Sequence, residues 1–389
     1  MVIPVHDNLE VTRGCLASLA RQQVDFPFEV VVADDGSDPS TAGWLRRESG
    51  ARVVRLAECR GYPVAVNAGL EAARGELLLV LNNDTLLPSG TLQRLVGALR
   101  DHPRVGLVGP SCDRIKGAQR IDVPSLEGDP VRVEDFGSYL AYQYEGKVED
   151  LHYVMGVAML FSRATLERTG GLDERFGPGN FEDDDFCFRV KEQGLRVLAA
   201  RDAFVHHLGG RTFASRGMDY RRLLQENQRR YLDKWRDHPV MGAYVHQQGG
   251  DLERALFNCR AALAGGTKNQ DALRILGEVL YRQGHPREAL HAFDRLLELA
   301  PRCTSAAILK TSIHLDLDQE REARRALGEL LLDFYVDDRS AAYMLAIFAQ
   351  SCLAWGKEEE ARSHLALALE LHPECEAAKQ AWESTHARR

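Results

Sequence analysis

The sequence predicts two folds in one chain of 389 residues. An α/β, Rossmann-like domain covers residues 1–235, and an all-α array of helical repeats covers 236–389. Three observations carry this. Short apolar runs alternate with amphipathic helical stretches through the first part. Several of those runs stop on acidic or amide residues, the plainest being Leu77–Leu81 followed by Asn82, Asn83 and Asp84. Beyond Trp235 the pattern changes to helix pairs, in which Ala255, Ala289 and Ala323 recur every 34 residues and Ala361 follows after 38.

The elements follow in order. Residues 1–5 read as a first strand, short for a buried one, which points to a few residues lacking ahead of Met1. A turn at 6–8 leads to a helix at 9–22, with Leu9, Cys15, Leu16 and Leu19 on its apolar side. A strand at 29–33 ends in Asp34-Asp35-Gly36-Ser37-Asp38; a helix at 41–49 and a strand at 51–56 follow. After Cys59-Arg60-Gly61-Tyr62 comes a helix at 63–73 carrying Asn67 and Gly69. Leu77–Leu81 has no polar interruption, as a strand buried on both faces requires. A helix at 91–100 and a strand at 105–108 complete a parallel, doubly wound sheet. Residues 109–150 show no clear period and read as a binding loop or lid. A strand at 154–161, a short helix, the acidic run Glu182-Asp183-Asp184-Asp185 opening another helix, and strands at 195–199 and 203–208 follow. A helix at 219–235 closes the domain. The repeats divide into about four units, near 236–269, 270–303, 304–337 and 342–375, with a capping helix at 377–385.

Composition excludes several classes. A net charge of −8 argues against a nucleic-acid partner. No apolar run approaches the ~20 residues of a membrane span, so no transmembrane segment is expected. Eight scattered cysteines without metal-ligand spacing read as reduced thiols of a cytoplasmic protein.

In open α/β sheets ligands bind beyond the carboxyl ends of the strands. The residues standing there are Ile3-Pro4-Val5, Asp34-Asp35-Gly36-Ser37, Arg60-Gly61 with Asn67-Ala68-Gly69, and Leu81-Asn82-Asn83-Asp84-Thr85. With Gly171-Leu172-Asp173, Phe181-Glu182-Asp183 and His206-His207, their order and spacing resemble the family 2 glycosyltransferases of the GT-A fold. The resemblance covers about residues 1–235, with Cys59 standing where the family usually has Asn.

The resemblance implies a metal-dependent, inverting transfer of a sugar from a nucleotide-diphosphate donor, a UDP- or dTDP-sugar, to a saccharide or a protein or peptide acceptor. Asp34 and Asp35 would hold the base, although Asp-Asp-Gly-Ser is also good turn chemistry. Pro4, Val5, Arg60, Gly61, Asn67, Asn82, Asn83 and Glu182 would complete the nucleotide-sugar site. Asp84 would ligate Mn²⁺ or Mg²⁺, joined by His206 or His207, of which strand alternation lets one face the site. Asp183 would be the general base. Neighbouring acids raise its pKa and the helix N-terminus lowers it, and the sequence leaves that balance open. Arg189 is an expected neutralising partner for the acidic run.

The repeats resemble tetratricopeptide repeats and carry no catalytic pattern. They would dock the acceptor or a protein partner, or serve as a structural or self-associating arm. The place expected for the whole is cytoplasmic, or peripheral to the inner face of the membrane. The alternative reading is a non-catalytic nucleotide-sugar-binding scaffold.

Overall fold

Short strands set the frame of the molecule's first part: β1 (Val2–Val5), β2 (Val31–Asp34), β3 (Arg52–Arg55) and β4 (Leu77–Leu81). Between them run helices α1 (Leu9–Ala20), α2 (Pro39–Glu48) and α3 (Tyr62–Ala72). The computed structural model describes residues 1–123, 125–209, 219–264 and 268–386, in two units, Met1–Gly242 and Ala243–Arg389.

The first unit continues with β5 (Thr85–Leu86), α4 (Thr91–Asp101), β6 (Val105–Cys112), α5 (Pro130–Gln143), β7 (Val148–Asp150) and β8 (Ala158–Ser162). Then come α6 (Arg163–Thr169), a 3-10 turn at Glu174–Phe176, α7 (Glu182–Glu192), β9 (Arg196–His207) and α8 (Tyr220–Lys234).

The sheet has the order β3-β2-β1-β4-β8-β6-β9-β5, with β7 paired to β9. It is mixed rather than parallel throughout. β1 to β4 run parallel, but β8 lies antiparallel between β4 and β6, with Leu81 opposite Ala158. That reversal brings the start of β8 to the carboxyl edge of β4. Residues 109–150 are also more regular than expected. β6 runs on to Cys112, and α5 buries Val133, Gly137, Leu140 and Ala141 at helical spacing. The two strands expected at 195–199 and 203–208 are one strand, β9, whose register against β6 shifts between Pro110 and Ser111.

Alternation explains the core. Leu79 and Leu81 of β4 pack with Ile3, Val5 and Val32 on one face, Leu78 and Val80 with Val2, Phe161 and Phe186 on the other. Each such side chain contributes roughly 1.5–3 kcal/mol by leaving water. Gly69 shows how tightly α3 lies on the sheet: a Cβ there would stand 2.3 Å from Val2 Cγ1.

The second unit is helical: α9 (Pro239–Gln248), which begins just before it, α10 (Leu252–Ala262), α11 (Gln270–Arg282), α12 (Pro286–Leu299), α13 (Thr304–Asp316), α14 (Glu320–Asp333), α15 (Asp338–Ala354), α16 (Glu358–Leu371) and α17 (Glu376–His386). The periodic residues Ala255, Ala289, Ala323 and Ala361 are all fully buried. Small residues let paired helices approach closely. A Cβ on Gly277 of α11 would stand 2.7 Å from the Phe293 ring of α12. Among the described residues no helix is long and apolar enough to cross a membrane.

Candidate functional site

The carboxyl edge of β1, β2 and β4 carries two polar clusters, and they differ in how far the protein itself satisfies them. At the end of β2, both carboxylates are occupied. Asp34 is fully buried, accepts the Ser37 N–H at 2.9 Å and pairs with the Arg55 guanidinium. Asp34 thus braces the turn after β2 and the neighbouring strand β3. Asp35 accepts the Arg60 N–H at 2.6 Å, the Gly61 N–H at 3.0 Å and the Cys59 thiol at 3.2 Å. Gly36 is needed at this meeting of turns: φ is +67°, and a Cβ would lie 2.5 Å from the Glu58 carbonyl carbon. Pro4 and Val5 are buried in the sheet beneath, where the Asp35 N–H bonds to the Val5 carbonyl. Arg60 reaches solvent, so its backbone N–H builds the turn while its guanidinium stays available.

Asn67 is a brace as well. Its side-chain amide donates to the Leu172 carbonyl and accepts the Leu172 N–H, both at 2.8 Å. That pair of bonds ties α3 to the Gly171-Leu172-Asp173 loop.

The cluster at the end of β4 is less complete. Asn83 donates to Thr12 Oγ1 at 2.8 Å. Asp84 is buried, and its Oδ1 lies 3.2 Å from His207 Nε2, brought there by the pairing of Thr85 with His207. Alternation on β9 turns His206 the other way, where Nδ1 meets Asp113 Oδ2 at 2.7 Å. His206 is thus not beside Asp84, and the expected metal role narrows to His207. Asp113 also accepts the His207 N–H at 3.0 Å, so one carboxylate positions both imidazoles. Burial lowers the His207 pKa, but the Asp84 carboxylate outweighs it and the net direction is upward.

α7 brings the acids to the same edge. Two residues with left-handed backbone, Asn180 and Phe181, precede it, with φ of +77° and +73°. Left-handed backbone at non-glycine residues costs energy and is one way that strain is held at functional sites, although six other described residues, Arg104 and Asp318 among them, adopt it too. Asn227 of α8 holds that turn by donating to the carbonyls of Phe176 and Gly179 at 2.8 Å. The four acids take different tasks. Asp185 is fully buried and paired with Arg189 at 2.9 Å and Lys234 at 2.6 Å, which gives Arg189 its expected neutralising role. Asp183 accepts the Gly156 N–H at 2.7 Å and the Asp184 N–H at 3.0 Å. Glu182 is buried with its Oε2 unbonded.

Burial pushes the pKa of Glu182 well up and Asp183 adds to it. Burial raises Asp183 as well, opposed by the backbone N–H donors of Gly156 and Asp184. Backbone donors that favour the charged form oppose burial at both carboxyls, and the net direction at each is upward. Desolvation thus wins the contest between neighbouring acids and helix terminus that the sequence left open.

Tyr62 joins the clusters. Its hydroxyl donates to the Gly156 carbonyl at 2.9 Å, and after burial the carboxylates of Glu182, Asp183 and Asp84 raise its pKa. Tyr62 and Asp113 were not singled out from sequence. The first directly follows Arg60-Gly61, and the second lies in the stretch read as irregular.

Among the described residues, Asn82 Oδ1 and Glu182 Oε2 at this edge are buried without a hydrogen-bond partner, as are several atoms elsewhere, Arg201 and Arg274 among them. A carboxylate, an imidazole and an amide oxygen at one strand end suit a hard divalent cation that shares its remaining positions with phosphate oxygens.

Comparison with known proteins finds similarity in both parts of the chain. Residues 1–170 match the family model for glycosyl transferase family 2, and residues 248–330 match that for anaphase-promoting complex, cyclosome, subunit 3. An uncharacterized protein of Sinorhizobium fredii is 27% identical over 254 residues, which are 61% of this chain and 27% of that protein. The O-antigen biosynthesis protein RfbC of Myxococcus xanthus is 28% identical over 53% of this chain and 17% of its own length. The chain thus spans under a third of these two relatives. A mannosyltransferase of Pyrobaculum calidifontis, solved with GDP-Man and Mn²⁺, aligns with a TM-score of 0.42 and 18% identity over 95% of this chain and 86% of that one.

Proposed function

We propose that the first unit is a metal-assisted, inverting glycosyltransferase that moves a sugar from a nucleotide-diphosphate donor to a saccharide acceptor. The observation that carries this reading is the meeting at one sheet edge of Asp84, His207 and the orphaned Asn82 Oδ1 with Tyr62, Glu182 and Asp183. The match of residues 1–170 to the family 2 model supports the reaction class. The O-antigen name of one relative supports a saccharide over a protein or peptide acceptor.

Asp84 and His207 would hold a divalent ion, Mn²⁺ or Mg²⁺, with Asn82. When bound, such an ion neutralises the charge that develops on a departing diphosphate. Asp35 and the backbone of Arg60 and Gly61 form the rim for the nucleotide, and Asn83 steadies the end of β4 through Thr12. Asp183 takes the acceptor hydroxyl's proton as that oxygen attacks the anomeric carbon from the face opposite the leaving group. Glu182, whose pKa burial pushes well up, would meet the sugar from the same edge. Tyr62 fixes the Gly156 carbonyl so that the Gly156 N–H stays on Asp183.

The repeats are read as a docking arm for acceptor or protein partner, because solenoids build extended binding surfaces. A chain ending at Gly242 would then keep donor hydrolysis and lose transfer to the native acceptor. Calorimetry tests the metal site. Wild type should bind UDP in a manner strengthened at least tenfold by Mn²⁺, and Asp84→Ala should lose that enhancement. Equal enhancement in the variant refutes the assignment.

A further inference from the structure

A second cluster of ligating groups lies at the nucleotide rim, apart from Asp84 and His207. One ligand atom each from His6, Asp35 and Cys59 all lie within 4.8 Å of one another. The three come from separate places in the sequence: the residue after β1, the residue after β2, and the loop after β3. The fold alone brings them together. Cys59 Sγ already stands 3.2 Å from Asp35 Oδ2, and His6 Nδ1 stands 2.7 Å from the Asp35 carbonyl oxygen.

We propose that His6, Asp35 and Cys59 form a binding site for a zinc-class cation, separate from the hard-metal site at Asp84. The chemistry of the donors selects the ion. Thiolate, imidazole and one carboxylate are borderline-to-soft donors that prefer Zn²⁺ over Mg²⁺ or Mn²⁺. Three protein ligands leave one tetrahedral position for water. Thiolate and carboxylate together neutralise the ion, so binding releases the thiol proton and leaves no uncompensated charge. The site is reachable: Cys59 is exposed, whereas the other seven cysteines are buried. The Asp7 carboxylate, 3.7 Å from His6 Nε2, adds a nearby acceptor for an imidazole N–H or bound water. Because Asp35 also belongs to the proposed nucleotide rim, zinc and nucleotide should exclude each other. That consequence rests on the function proposed above, while the site itself does not.

Three measurements test this, with the metal ion alone as probe in the first two. Co²⁺ titrated into the full chain should give thiolate-to-metal absorption that corresponds to one ion, besides any ion held without thiolate at Asp84 and His207, and Cys59→Ser should abolish that absorption. In the native state a thiol reagent reads Cys59 nearly alone, so saturating Zn²⁺ should slow its alkylation at least tenfold. His6→Ala should weaken that protection at least tenfold. Co²⁺ absorption unchanged in Cys59→Ser, or alkylation indifferent to Zn²⁺, overturns the site. UDP affinity should fall at least tenfold in wild type on adding Zn²⁺ and hold in Cys59→Ser. Protection of Cys59 with UDP affinity unmoved would keep the zinc site and reject the nucleotide's place beside Asp35, so the two ideas fail separately.

Discussion

Acidic residues in the two units are handled in opposite ways. On α14 and α16, Glu320 and Glu360 lie near the surface and close a network with Arg324 and Lys357. The Arg324 guanidinium holds the Glu360 carboxyl down at about 2. On α7, Glu182 and Asp183 are buried with no cation in contact among the described residues, and burial drives both pKa values up. Asp185, on the same helix, is paired with two cations, Arg189 and Lys234. The lesson is local: a charge that the protein pairs itself is structural, and a buried acid at a ligand edge without such a pair is the candidate for chemistry, because holding it costs several kcal/mol.

The most direct way to break this contrast is at Asp183. Asp183→Asn keeps the shape and removes the charge, so transfer should fall by about 10²- to 10⁴-fold with UDP binding retained. Thermal stability should not fall, since ionising a buried acid costs the fold. A transfer rate within a few-fold of wild type would return Asp183 to the structural class.

Asp185 should behave in reverse. Asp185→Ala strands Arg189 and Lys234 and should cost about 2–3 kcal/mol, less than the ~3–5 of fully enclosed pairs because both cations reach solvent. Denaturant midpoints would read the loss. A drop below about 0.5 kcal/mol would mean that Asp185 is not a structural pair.

The pH dependence sharpens the comparison further. Burial and then the Asp183 charge push Asp184 up to about 8. A raised carboxyl favours the folded state below its unfolded value and loses that contribution as pH rises through the folded one. The first unit should therefore lose stability from about pH 4 to pH 8 through this group. Asp184→Asn should flatten that slope and raise Tm at pH 8 by a few degrees. An unchanged slope in the variant would assign the titration elsewhere.

The smallest effect belongs to the repeats. Glu360 is held low, so its contribution is present above about pH 4.5 and is lost as pH falls through about 2. Its exposure limits Glu360→Gln to within about 1 kcal/mol at neutral pH, and transfer to a small acceptor should not change. A larger loss of activity would place this network in function.

Local chemistry made much of this legible. The run Leu77–Leu81, the acidic strand ends and the 34-residue alanine period each depend on near neighbours alone, so periodicity reveals them. The choice among acids was partly legible too, since Arg189 stands four residues after Asp185. Only tertiary structure decided the rest. The antiparallel entry of β8 set Gly156 against Asp183, and a register on β9 sent His207 to Asp84 and His206 to Asp113. Asn67 and Asp34 read as ligand-binding in a motif, yet their hydrogen bonds reach residues 105 and 21 positions away and hold loops. The same long-range convergence set His6, Asp35 and Cys59 together. Such pairings carry no periodic signal, because the sequence records what each residue can bond to and the packed chain determines which partner comes within reach.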